Sequence, residues 1–536
     1  MTTTNRPREV LAHALGGRRV RWDGHSLLWV ALCTATVGML YSTHFLPLYD
    51  YYQWLFQGHV MSVLLFGSAA GPAGPAGPAG VAGSYALAPV PVPNLAAPIT
   101  IAALDVVLPT EAAGQLFVVL AVLGFAISFG FLVRALQNRP TAIEYLGFAW
   151  APGFFVYKGY LSYLVGLALA FAPIAVLHRA AARPDGPRRG TLWLVDVLAA
   201  VLYLSHLLAW VIGVLAVLAH AVVLVRSGRG RRAGLLLATL LPGVVMAGWY
   251  VLAEHGGTGT SFYTSWLDKG ISLAETLQFF LRLDPFPPVF PIFWVNVVLA
   301  VAFTAVVLRH LDRAALRTAL ARRPVLWLAI ALAVIALVTP INTVNDLIKP
   351  DERFVLPALM LAVAALPYRA LRARTTEFIA VLVAAVLGLH VVEYVDVGHR
   401  IREVDRATDA AVPAGAPLLQ LAIPSRYGCT PSPGLSIGVP VLKWFGVDHA
   451  LETGQAHINV DETSIVHATD PDAPGMTVLA AALPEVPALV APLAAAHPHL
   501  EAIGCPSDLT GIEQALTGSY RPISRGAGFT IFRQAG

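Results

Sequence analysis

The sequence predicts a mainly α-helical polytopic membrane protein, a transmembrane helical bundle with one small α/β domain outside the bilayer. Three observations predict it. The chain has 536 residues, 57% hydrophobic and only 13% charged, with mean hydropathy +0.66, whereas a soluble domain is about half apolar and a quarter charged. Apolar stretches of roughly 17–25 residues, the length needed to cross a hydrocarbon core, recur along its first three quarters. Lys and Arg fall in groups between those stretches, and 23 of the 36 lie in segments that can share one side, as cytoplasmic loops do. No short apolar stretch with a small-residue cleavage site opens the chain, so no removable signal is expected. The basic residues form short scattered clusters, which points away from nucleic-acid binding.

The elements follow in order. Residues 1–24 are expected in the cytoplasm, with Arg18, Arg19 and Arg21 ahead of a first span at 25–42. The next basic residue is Arg134, so spans 25–42 and 113–135 enclose a long outer loop, 43–112. The later groups are Arg134 and Arg139, Arg179 to Arg189, Arg226 to Arg232, Arg309 to Arg323, and Arg369 to Arg374. They share one side only if an even number of spans separates each neighbouring pair. A single helix over 191–225 would be about 52 Å long against a core of roughly 30 Å. It therefore divides into 191–205 and 207–225, turning at Ser205 and His206. The same parity gives 141–156 and 159–177 around Lys158, and 325–339 and 354–368 around the polar stretch Asn345 to Arg353. With 234–252, 290–308 and 376–394 the expectation is eleven spans, the N-terminus inside and the C-terminus outside.

"GPAGPAGPAG" at 71–80 is too short, and single, for a collagen helix; it reads as a semi-rigid insertion in the first outer loop. Loop 253–289 is Gly- and Pro-rich and also outer. From 396 to 536 apolar runs shorten. "APLLQLAI", "MTVLAAAL" and "GFTIFRQ" read as strands, "EVPALVAPLAAAH" and "DLTGIEQALTG" as helices, giving a small extracytoplasmic α/β domain. Cys33 falls in the first span and reads as a small buried hydrophobe. Cys429 and Cys505 both fall in the outer domain, where a disulfide between them can persist.

Candidate chemistry begins at "HFLPLYDYYQWLFQGHVM", residues 44–61. Asp50, Gln53 and Gln57 share one helical face, with Trp54 beside them and His59 just beyond, while Leu55, Phe56, Val60 and Leu64 form the other side. This predicts an amphipathic helix at the outer interface, its polar stripe toward a cavity or water. An acid at membrane depth is a functional candidate; the plain alternative is an interfacial helix with an aromatic belt. Other polar residues sit on outer turns: Lys158 in "VYKGYLSY", His206 in "YLSHLLAW", and Arg353 in "VNDLIKPDERF". Each has an ordinary reading: a snorkelling lysine, an interfacial histidine, an arginine paired with an acid of its own loop. Together they would suit a phosphate-bearing ligand. P-loop, H-E-x-x-H and zinc-spaced cysteine motifs are absent from the sequence.

The apolar first span, the loop opening "PLYDYYQWLFQGH" and the return "PNLAAPITIAALDVVLPTEAAGQLFVVLAVLGF" resemble the GT-C superfamily of integral-membrane glycosyltransferases. "GFFVYKGYLSYLVGLALA", "YLSHLLAW" and "DERFVLPALML" look like a bacterial branch of it, and the resemblance covers roughly 25–395. It implies inverting transfer of a sugar from a polyprenyl-phosphate donor to a glycan, lipid or protein acceptor at the outer face of the cell membrane. The first-loop acid that serves as general base maps onto Asp50. Gln53, Trp54, Gln57 and His59 would then meet the sugar, and Lys158, His206 and Arg353 the donor phosphate. Many members carry two acids close together in that loop, whereas Asp50, Asp105 and Glu111 are far apart here, which leaves a divalent cation open. The alternatives are a non-catalytic scaffold or accessory subunit of the same fold and, third, a transporter; transporters break their helices at mid-membrane, whereas these polar residues gather at one face.

Overall fold

The computed structural model describes residues 24–67, 83–181, 183, 187–253, 265–339, 349–413, 416–422, 429, 438–440, 466–468, 477–479 and 483–535. The N-terminal arginines, the 71–80 insertion and Asn345 lie outside them. Leu- and Ala-rich runs become helices because both residues lose little side-chain freedom there. In chain order the helices are α1 (Gly24–Leu40), α2 (Tyr51–Phe66), α3 (Ala96–Asp105), α4 (Thr110–Gln137), α5 (Leu146–Trp150), α6 (Phe154–Tyr157), α7 (Leu161–Ala181), α8 (Arg189–Ser205) and α9 (Leu207–Arg226). Then come α10 (Gly230–Ala238), α11 (Leu241–Ala253), α12 (Trp266–Thr276), α13 (Ile292–His310), α14 (Arg313–Arg322), α15 (Pro324–Val338), α16 (Pro350–Ala365) and α17 (Ala373–Ala411).

Five of these, α4, α7, α9, α13 and α17, are long and apolar enough to cross a membrane, or up to seven elements if the bent pairs α10–α11 (43°) and α14–α15 (83°) each count as one. By length and composition the described helices show fewer than the expected eleven, for physical reasons. Stretch 141–156 is not one helix but a 3-10 turn at Ala142–Tyr145 followed by α5 and α6, all buried. Pro152 and Gly153 break it. Others, such as α15 with 15 residues and α16 with 16, are short. The division of 191–225 lies where parity put it. His206 is extended (φ −170°, ψ 129°), and its Nδ1 accepts from Leu208 N at 3.1 Å, so it caps α9.

The bundle has two chemically distinct ends. At one, Arg139 donates to Tyr368 O at 2.8 Å, Arg323 to Ala365 O at 2.6 Å, and Arg369 N to His310 O at 3.0 Å. Arg134 meets buried Glu144 there at 2.5 Å. At the other end lie Asp50, Lys158, His206 and the start of α16, and the loops there pair with the C-terminal region. Strand β1 (Tyr85–Leu87) runs antiparallel to β5 (Val466–Ala468), and β2 (Arg282–Asp284) parallel to β4 (Gly438–Pro440).

The C-terminal region forms a five-stranded mixed sheet, order β6 (Thr477–Leu479), β3 (Leu418–Ala422), β7 (His499–Ile503), β9 (Phe529–Gln534), β8 (Tyr520–Gly526). Its core is Leu419, Leu421, Leu500, Ala502 and Phe532 against α18 (Val486–Val490) and α19 (Pro506–Ala515). Two expectations are corrected here. The helix expected over 485–497 is only the five residues of α18, followed by turns. The boundary expected at 396 falls inside α17, which runs unbroken for 39 residues into the sheet region. Cys429 and Cys505 form a disulfide with Cα atoms 4.9 Å apart, within the range that needs no backbone movement.

Candidate functional site

Asp50 sits at the N-cap of α2, half-buried, just after the chain leaves α1. Three contacts bind this corner to the turn between α6 and α7. Tyr49 N donates to Tyr157 O at 2.9 Å, and Trp54 Nε1 to Gly159 O at 2.8 Å. Gly159, in the left-handed region at φ +69°, packs directly on the Asp50 backbone. That turn presents Lys158 and Tyr160.

Tyr160 is the hub. Its hydroxyl donates to Glu352 Oε2 at 3.3 Å, and the Arg353 guanidinium lies 4.5 Å from its ring centre. The charges of Glu352, Arg353, Asp50 and Glu275 all act on that hydroxyl. Arg353 also faces the Tyr163 ring at 6.0 Å, Tyr163 donates to Arg353 O, and Tyr163 meets the His206 ring edge-on at 4.9 Å. Arg353 and His206, from two separate segments, thus gather around the two tyrosines, while Lys158 from the same turn as Tyr160 reaches the Phe154 ring at 5.7 Å and Glu275.

Helix α12 closes the cluster and is inverted. Its buried residues are polar: Lys269, Ser272, Glu275 and Thr276, at i, i+3, i+6 and i+7. Among its described residues the large exposed side chains are apolar, with Trp266 77% and Leu267 70% exposed. Lys158 Nζ lies 3.1 Å from Glu275 Oε1, Lys269 Nζ 3.2 Å from Asp351 Oδ2, and Lys349 Nζ 2.6 Å from Glu352 Oε1. The first two pairs are at ion-pair distance but misaligned for a hydrogen bond, and both oxygens of fully buried Glu275 and Asp351 lack one. Burial pushes the Glu275 carboxyl up, with Lys158 pulling it back. Burial acts upward on Glu352 too, but Lys349 and Lys158 outweigh it and hold that carboxyl below its ordinary value. On Lys349 burial acts downward, and the Glu352 and Glu275 charges carry it above the usual lysine range. Arg353 forms no ion pair with an acid among the described residues, and its buried Nε has no hydrogen-bond partner.

Several expected ligands are occupied differently. Helix α2 is not an interfacial amphipathic helix: Tyr51 through Gly58 are all buried, because α3, α4 and β1 cover it. Gln53 and Gln57 lie in that interior, and Gln57 Oε1 has no partner. The Trp54 indole holds the Gly159 turn rather than standing open to a sugar ring. His59 points to a separate polar knot, with Nδ1 3.1 Å from Asp105 Oδ2, and Thr110 donates to Asp105 at 2.6 Å. His206, accepting at Nδ1, carries its proton on Nε2 and is a neutral donor, not a cation.

Comparison of the chain with protein-family models, curated proteins and solved structures gives no match. The functional reading therefore rests on the cluster itself. Sequence reasoning missed Tyr160, Tyr163, Lys269 and Glu275; the helical spacing of Lys269, Ser272, Glu275 and Thr276 inside a supposed loop was the available signal. As to a divalent cation, among the described residues no three His, Cys, Asp or Glu side chains are grouped to hold one.

Proposed function

We propose that the protein is a GT-C-like glycosyltransferase of the cell membrane, taking a sugar from a polyprenyl-phosphate donor at the end of the bundle that carries Asp50. The observation that carries this reading is the convergence of Asp50, Tyr160, Glu275 and Arg353, from four segments, beside an inverted helix.

The bilayer placement draws support from three features. Helix α11 buries only Gly243, leaving Leu241, Val245, Trp249 and Leu252 uncovered, an apolar face that water would not tolerate. Exposed Trp193, Trp249, Trp266, Trp294 and Trp327 all lie within five residues of a helix end, as interfacial belts do. Arg134, Arg139, Arg323 and Arg369 lie together at the end away from Asp50. In this placement the lipid covers the outward face of α12 while its polar face lines the site.

In the proposed reaction Asp50 removes the proton from the acceptor hydroxyl as that oxygen attacks the sugar's anomeric carbon. The bond from that carbon to the phosphate oxygen breaks, with inversion. Arg353, stacked on Tyr160 and unpaired with any described acid, stabilises the departing polyprenyl phosphate. Neutral His206 offers an Nε2–H donor. Lys158 acts indirectly by neutralising Glu275.

Membranes carrying the full chain, supplied with a panel of radiolabelled polyprenyl-monophosphate sugars, test the proposal. Asp50→Asn is expected to cut turnover by roughly 10²–10⁴-fold, and Arg353→Ala to weaken donor binding. Wild-type turnover in the Asn variant would reject Asp50 as base. One observation favours a second reading, a non-catalytic scaffold: the three lysines are each matched to an acid inside the chain. In that case neither substitution changes any transfer rate.

A further inference from the structure

At the arginine end, far from Asp50, α13 and the first turns of α17 enclose a groove of about 440 Å³. Its two halves differ chemically. The rim is Arg309, His310, Arg374 and Thr375; the floor is Ala302, Ala305, Val306 and Phe378. On α13 the lining residues 302, 305, 306 and 309 fall at i, i+3, i+4 and i+7, one helical face. The groove therefore runs along the helix axis, cationic at the helix end and apolar about 10 Å further in. Two alanines in that face leave the space.

The rim cations are not neutralised. Neither Arg309 nor Arg374 forms an ion pair or hydrogen bond among the described residues, and both are exposed. Arg372 adds its charge beside His310. Among the described residues no acid lines the groove. Glu377, one turn along α17 from Arg374, is exposed and lies outside the lining.

We infer that this groove binds an anionic glycerophospholipid of the cytoplasmic leaflet, its phosphate between Arg309 and Arg374 and an acyl chain along Ala302, Ala305 and Phe378. Basic pockets between membrane helices on the cytoplasmic side recognise anionic headgroups in this way. A rim without an acid offers nothing to the ammonium of a zwitterionic lipid. A free phosphate would satisfy the arginines but leave the apolar floor uncovered. The inference rests on the bilayer placement proposed above and not on the transfer chemistry.

Native mass spectrometry of the full chain in a neutral detergent tests it, with phosphatidylglycerol, phosphatidylcholine and inorganic phosphate added in parallel. Phosphatidylglycerol is expected to remain bound at concentrations where the other two do not. Its affinity should fall roughly five-fold for each arginine lost in Arg309→Gln and Arg374→Gln. Ala305→Trp keeps both arginines and fills the floor, so it should also lose the lipid, and it guards against a charge effect that is merely global. Equal retention of the two lipids, inorganic phosphate binding as well as phosphatidylglycerol, or undiminished binding in the variants would each overturn the proposal. Those outcomes leave the Asp50 transfer assay untouched. Should the chain instead prove monodisperse without detergent, the bilayer placement fails, and this inference with it.

Discussion

Gly159→Ala is the perturbation that most directly tests how the candidate site is held together. Gly159 has φ +69°, and a methyl added there would stand 2.5 Å from Asp50 N, 2.8 Å from Asp50 Cβ and 2.9 Å from Asp50 Cα. Two of those three atoms are backbone, so no side-chain rotation relieves the contact. The left-handed conformation costs a non-glycine residue roughly 1–2 kcal/mol. Forcing a methyl into a packed site costs about 1–3 kcal/mol more, giving a loss of roughly 2–5 kcal/mol. The relief available is to push Asp50 away from Tyr160. A displacement near 1 Å can cost about 10²-fold in rate, so transfer should suffer even in protein that folds. Unfolding of the purified chain in detergent, followed by its 11 tryptophans, gives the stability. Two controls divide the effect. Gly38→Ala on α1 meets nothing within 4 Å and should be neutral or gain up to ~1 kcal/mol. Gly159→Asn tolerates the left-handed region but keeps the clash, so it should lose less than Ala yet remain destabilised. A Gly159→Ala protein within ~0.5 kcal/mol of wild type, with unchanged transfer, would refute the packing of this turn on Asp50.

Lys158→Met strands the buried Glu275 carboxylate and should cost roughly 3–5 kcal/mol, whereas Lys158→Met with Glu275→Leu should recover most of it; a double-mutant cycle with no coupling would contradict the pairing. Glu501 is fully buried on β7, hydrogen-bonded by Thr408 of α17 at 2.9 Å, and burial raises its carboxyl from 4.5 to about 7. The folded state therefore holds the proton more tightly than the unfolded chain. Stability is full below pH 4.5 and falls as pH rises through about 7, by roughly 2–4 kcal/mol. Glu501→Gln should flatten that slope, which thermal unfolding across pH 4–8 would reveal. Reducing Cys429–Cys505, which spans 76 residues, should destabilise the sheet region by roughly 4 kcal/mol without altering helices α1 to α16; unchanged hydrogen exchange in β3 and β7 after reduction would contradict this.

What was legible in the sequence was what local pattern and chain length dictate. The break at His206 followed from a run too long for one helix, and α8 and α9 end within two residues of the expected bounds. The gathering of Lys158, His206 and Arg353 near one end followed from counting arginines at the other. Burial of α2 was not legible, because Gln53 and Gln57 are polar and what hides them, α3, returns over 40 residues later. Helix α12 was hidden by its surroundings: a Gly- and Pro-rich loop does not advertise a helix whose polar side faces inward. Strand β7 was overlooked because Glu501 at its centre reads as solvent-facing, although its partner Thr408 comes from a helix 93 residues away. Stretch 141–156 was misread as one span because Pro152 and Gly153 weigh little in a hydropathy average and a great deal in a hydrogen-bond ladder.

Helix α17 has a mechanical consequence. At 1.5 Å per residue its 39 residues extend about 58 Å, nearly twice a hydrocarbon core. Gly398 seats its flank against Thr43 and Phe45 at the corner that leads to Asp50. The helix thus reaches the sheet region as one continuous rod. Its orientation is a matter of helical phase: one residue inserted after Ile401 would rotate the sheet by about 100° and lift it 1.5 Å, detaching β1 from β5 and β2 from β4. Four inserted residues would bring it back to within about 40° of its original bearing, some 6 Å higher. The height and bearing at which α17 delivers the chain to the sheet are therefore set by residue count along the helix, as a camshaft sets timing.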